Sequence, residues 1–138
     1  MNSLGNDWIS EHEKCLMSVI TIKYPAGEMT IDFRSFLIEN NFGINRVKRL
    51  VKLNRSYEVS KSMYRTVNSL IQETKTEYRH VMDDAEQKFD EIDNKYLFEM
   101  DREKAKKPIR KKRDAKRREL DAKYQKLLKL QNIIEEVM

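Results

Sequence analysis

Glycine is nearly missing from this chain. The three glycines stand at Gly5, Gly27 and Gly43, and residues 44–138 contain none. There are two prolines, Pro25 and Pro108. Turns draw on Gly, Pro and clustered Asn, Asp or Ser, so a sequence this poor in them cannot build the many turns of a β-sandwich or barrel. The single cysteine, Cys15, excludes an intramolecular disulfide framework and a cysteine-based zinc cage. No apolar run reaches the length of a membrane-spanning helix. The first residues, MNSLGNDWISEHEK, lack the basic start and apolar core of a secretory signal. These absences predict a cytoplasmic chain, or a nuclear one in a eukaryote, with no membrane partner.

What is present is charge and helical periodicity. Over 138 residues, Lys and Arg number 28 and Asp and Glu number 23, for a net charge of +5. The fold expected is mainly α, with two parts. Residues 6–55 form a small N-terminal helical or α+β domain. Residues 56–138 form a long antiparallel coiled-coil hairpin.

In the first part, Asn6-Asp7 can cap a helix whose apolar face runs Trp8, Cys15, Leu16, Val19 and Ile20, with neutral His12 among them. The β-branched run VITIKY offers a competing strand at 18–24. Residues 29–32 suit a short strand. Residues 32–40 suit a helix with Phe33, Phe36 and Leu37 inward. A turn follows at Asn40-Asn41-Phe42-Gly43. Asn45 then caps a basic helix with Val47, Leu50 and Val51 inward. This order of elements, over residues 8–53, resembles a winged-helix or helix-turn-helix unit. The resemblance implies that the helix after the turn enters the DNA major groove through Arg46, Lys48, Arg49 and Lys52. The wing expected after that helix is not visible, because the chain reads as helical from Tyr57 onward.

In the second part, Tyr64, Val67, Ile71, Thr74, Tyr78, Val81 and Ala85 alternate spacings of three and four, which is a heptad seam. Phe89, Ile92 and Tyr96 extend it after a stutter. A helix over 56–104 would be about 70–75 Å long at 1.5 Å per residue. Leu120, Tyr124, Leu127, Leu130, Ile134 and their neighbours form the partner face. An interior proline costs a helix roughly 3 kcal/mol. The break between the two arms is therefore expected near 104–109, at Pro108. Folded that way, Ile71, Tyr78, Val81, Phe89 and Ile92 would be buried against Leu120, Tyr124, Leu127 and Ile134. The rival arrangement is a kinked helix paired across a homodimer.

Charge is blocked along these arms. Residues 101–118 carry eleven basic side chains and three acids, a net of +8. Residues 83–99 carry seven acids and two lysines, a net of −5. A hairpin could lay one block beside the other and so fix register. It cannot neutralise a helix that is basic on every side. The candidate site for a polyanion or an acidic protein surface is Lys104, Lys106, Lys107, Arg110, Lys111, Arg113, Lys116, Arg117 and Arg118, with the hairpin tip placed at Lys104–Lys111. The string KKPIRKKR also resembles a nuclear localisation signal.

No catalytic site is expected. His12 and His80 fall in separate elements, and HExxH, P-loop, GxSxG and CxxC patterns are all missing. No metal site and no cofactor are expected. The function expected is that of a non-enzymatic regulatory protein associated with nucleic acid through its basic helical patches. The alternative is a coiled-coil adaptor or inhibitor that docks on an acidic protein surface.

Overall fold

A computed structural model describes residues 18–138. Of the helix expected with a face from Trp8 to Ile20, residues 8–17 and the cap at Asn6-Asp7 lie outside the described residues, and its end at Val19 and Ile20 is strand instead. The described chain runs β1 (Val19–Tyr24), β2 (Gly27–Asp32), α1 (Phe33–Glu39), α2 (Ile44–Leu53), α3 (Tyr57–Lys95) and α4 (Glu99–Glu136). Helix accounts for about 78% of it, and α3 and α4 pack against each other as a hairpin. The strand reading of VITIKY holds from Val19 onward. Two compact units result, one of residues 18–70 with Lys126–Met138 and the other of Ile71–Gln125. Helices α3 and α4 contribute to both.

The first unit begins with an antiparallel pair in the register Val19↔Asp32 to Tyr24↔Gly27. Pro25 sets φ for the two-residue turn, and Gly27 closes it at φ 154°, which a side chain would strain. Alternation puts Ile20 and Ile22 in the core, while Thr21 and Thr30 bond across the outer face at 2.9 Å. At the open end Ser18 donates to Asp32 at 2.6 Å. Asp32 also caps α1, accepting from the backbone N–H and the hydroxyl of Ser35.

Helix α1 ends in a Schellman turn. The Phe42 N–H reaches the Leu37 carbonyl and the Asn41 N–H reaches that of Ile38. Asn41 and Phe42 take φ of 51° and 56°. Phe42 and Leu37 are both buried, the apolar contact that accompanies this cap. The cap of α2 is Gly43 rather than Asn45, which lies in its first turn and is exposed. Phe33, Leu37, Val47, Leu50 and Val51 form the core with Met63, Val67 and Leu70 of α3 and Leu127, Leu130 and Ile134 of α4. Each such side chain contributes roughly 1.5–3 kcal/mol on burial. No wing follows α2, because only three residues separate it from α3, and the strand pair precedes the helix pair instead. The unit is not clearly winged-helix.

The second unit corrects the expected hairpin. The reversal lies at Tyr96–Phe98, and Pro108 sits inside α4. Two observations explain this. Pro108 and Lys104 are both exposed, so solvent reaches the turn of helix in which the Lys104 carbonyl loses its helical N–H partner. The reversal, in turn, is held by a side chain: Arg102 Nε donates to the Tyr96 carbonyl at 2.8 Å. Moving the turn shifts the register. Lys106 meets Asp93 at 2.7 Å and Lys116 meets Glu77 at 3.5 Å. Ile71 and Leu120 are buried as expected, but Tyr78, Val81, Phe89, Ile92 and Tyr124 are only half-buried. Phe89 faces cations, with Lys106, Arg110 and Arg113 at 5.7, 5.8 and 5.5 Å from its ring centre.

Candidate nucleic-acid interface

The eleven basic residues of 101–118 separate by geometry into two sets. In the first set, five are engaged. Arg102 holds the turn. Lys106 pairs with Asp93, and its side chain is only 16% exposed. Arg110 donates to Glu103 at 2.8 and 3.2 Å. Arg113 pairs with Asp114 at 3.1 Å, and Lys116 lies near both Glu77 and Glu119. The hydrogen bonds from Arg110 hold the Glu103 carboxyl below its ordinary value and raise the guanidinium in return.

The second set is Lys104, Lys107, Lys111, Lys112, Arg117 and Arg118. None of these six pairs with a carboxylate among the described residues. Lys104, Lys107, Lys111 and Arg118 follow spacings of three, four and seven. That places them on one face of α4, opposite the side that turns Ile109, Arg113 and Leu120 toward α3. All four are exposed. They span about 21 Å of helix axis.

Four residues in the sequence-derived set therefore belong to the engaged group beyond simple display: Lys106, Arg110, Arg113 and Lys116. The expected tip at Lys104–Lys111 is the flank of the arm, because the reversal precedes it. Sequence reasoning counted Lys112, which is exposed, in the basic block but left it out of the candidate set. It also passed over the true tip, where Leu97, Phe98 and Met100 are 82%, 67% and 86% exposed. The signal was there: these residues leave the heptad seam and pair with no apolar position elsewhere.

A second basic face lies on α2 in the first unit. Burial of Val47, Leu50 and Val51 turns Arg46, Lys48, Arg49 and Lys52 outward. Arg46 Nη1 donates to Asn40 Oδ1 at 2.6 Å, which ties it to the preceding turn. Lys48, Arg49 and Lys52 form no ion pair with a described residue. Nearby, Lys126 Nζ approaches the Asn41 carbonyl at 3.5 Å.

Among the described residues no cluster of His, Cys, Asp and Glu can hold a metal ion. No helix there is long and apolar enough to cross a membrane. No protein-family model, curated protein or solved structure matches the chain.

Proposed function

We propose that this chain is a non-enzymatic regulatory protein that binds nucleic acid through cationic helix faces. The carrying observation is the stripe of Lys104, Lys107, Lys111 and Arg118, which is exposed, aligned on one face of α4 and unmatched by described carboxylates. A stripe of this kind contacts phosphates, which supply affinity without base information. Arg49, Lys48 and Lys52 on α2 give a second set of contacts, on a helix that follows a tight turn. Self-association of the chain would double the phosphate contacts in each complex.

The test is a salt titration with duplex DNA, RNA and a non-nucleic polyanion. For duplex DNA, log affinity should fall by about 0.9 per phosphate contacted for each decade of salt. Reversing Lys104, Lys107, Lys111 and Arg118 to Glu should remove binding and leave helix content unchanged. Neutralising Lys106 and Arg110, which are already paired, should matter less. Equal binding by the four-fold reversal and wild type would sink the reading. No binding to either nucleic acid at low salt would move the function to a protein-docking adaptor.

A further inference from the structure

The tip of the second unit has the wrong residues for a turn. Reversals between helices are normally polar, with Gly, Asn, Asp or Ser. Here Leu97 and Phe98 occupy the reversal and Met100 follows, all three highly exposed. The backbone does not require them, since the turn is secured by Arg102 on the Tyr96 carbonyl and by Lys95 over the Tyr96 ring at 5.6 Å. A rigid turn that carries large apolar side chains into solvent is a surface built for contact. Two exposed acids, Glu99 and Asp101, follow it, and Lys95, held over the Tyr96 ring, precedes it.

The same unit carries a socket of matching character. An open groove of about 480 Å³ lies between α3 and α4. Tyr78, Met82, Leu120 and Tyr124 line it, together with the charged Lys75, Arg79 and Asp121. Lys75 Nζ sits 5.9 Å from the centre of the Tyr124 ring. The tip is apolar and runs into the acids Glu99 and Asp101, and the groove is apolar with two cations, Lys75 and Arg79, against one acid, Asp121. Met82 and Lys95, at the two ends, are about 20 Å apart along α3.

From this complementarity we propose that the apolar tip of one chain docks in the groove of a second copy. Two arms lying antiparallel bring each tip to the other's groove. The two contacts are then identical and related by a two-fold axis, so the assembly closes at a dimer. Leu97 and Phe98 fill the groove beside Tyr78 and Met82, and Glu99 and Asp101 approach Lys75 and Arg79 of the other copy.

The experiment is sedimentation velocity on the full chain over a hundred-fold concentration range. Wild type should form a reversible dimer. Leu97→Ser with Phe98→Ser should weaken it at least tenfold without loss of helix content, because both side chains are exposed in the single chain. The geometry is checked in a Cys15→Ser background by mixing a Met100→Cys chain with a Lys75→Cys chain. A thiol cross-linker should join the unlike chains in preference to like ones. A wild-type chain that stays monomeric throughout overturns the proposal. So does a dimer that the double-serine variant leaves intact, a cross-link mainly between two Met100→Cys chains, or a monomer that instead sediments with phosphatidylcholine vesicles through its tip.

Discussion

The guanidinium of Arg102 donates from Nε to the carbonyl oxygen of Tyr96, 2.8 Å away across the helix reversal. A chain with no glycine after residue 43 thus turns back on itself by using a side chain to satisfy a helix-end carbonyl. A hydrogen bond to a charged group contributes about 1.5–3 kcal/mol.

Arg102→Ala should therefore loosen the reversal first. Amide exchange is expected to quicken at residues 96–102, while amides in the middle of α3 keep their protection. Uniform acceleration along both helices would show that the turn is not held by this contact.

Pro108 is expected to be a net burden on α4. Replacing it by alanine restores an N–H for the Lys104 carbonyl and removes the ring's clash with the preceding turn. Pro108→Ala should stabilise the chain by up to about 3 kcal/mol. Chemical denaturation reads this directly, and an unchanged or lower midpoint would contradict the placement of Pro108 inside a continuous helix.

Leu127 is fully buried in the first unit, and Leu53 at the end of α2 is 46% exposed. Leu127→Ala should cost about 2–5 kcal/mol. Leu53→Ala should stay within about 0.5 kcal/mol of wild type, as surface changes do. Similar losses at both positions would mean that the core is misassigned.

The Arg110–Glu103 pair gives a pH signature. Hydrogen bonds from Arg110 lower the Glu103 carboxyl below its ordinary value of 4.5. A carboxyl lowered in the folded state contributes stability above its unfolded value and loses that contribution as pH falls through the folded value. Wild type and Glu103→Gln should therefore differ in thermal midpoint at neutral pH and converge in acid. The pair is exposed, so the gap should be small and should shrink in high salt. A gap that widens on acidification would contradict the assignment.

Much of this fold was legible in the sequence. Missing glycines and the three-four spacing from Tyr64 to Ala85 foretold long paired helices. The turn at Asn40–Gly43 and the inward positions Phe33, Leu37, Val47, Leu50 and Val51 were equally readable from apolar periodicity, although the cap of α2 proved to be Gly43 and not Asn45. Pro108 misled. Its preference against helix is real, but it can be met where the proline and the residue four before it lie on the exposed side of the helix. The true reversal at Leu97-Phe98 carries no turn residue, and the bond that secures it reaches six residues along the chain. The register error then followed, and Phe89 was matched with leucines instead of Lys106, Arg110 and Arg113. Net charge alone could not separate Lys106 from Lys107. That distinction depends on which of two adjacent lysines points at Asp93.

Lys104, Lys107, Lys111 and Arg118 lie exposed on α4, while Asp83, Glu86, Asp90 and Glu91 lie exposed on α3. Two helices side by side are about 20 Å across. The second unit therefore carries an electric dipole across its width as well as a charge. Near a polyanion that dipole feels a torque, which rolls α4 toward the negative surface before any contact forms. Screening shortens from about 10 Å at 0.1 M salt to about 3 Å at 1 M, less than the width of one helix. Added salt should then slow productive encounter by abolishing this alignment, over and above its effect on the attraction itself.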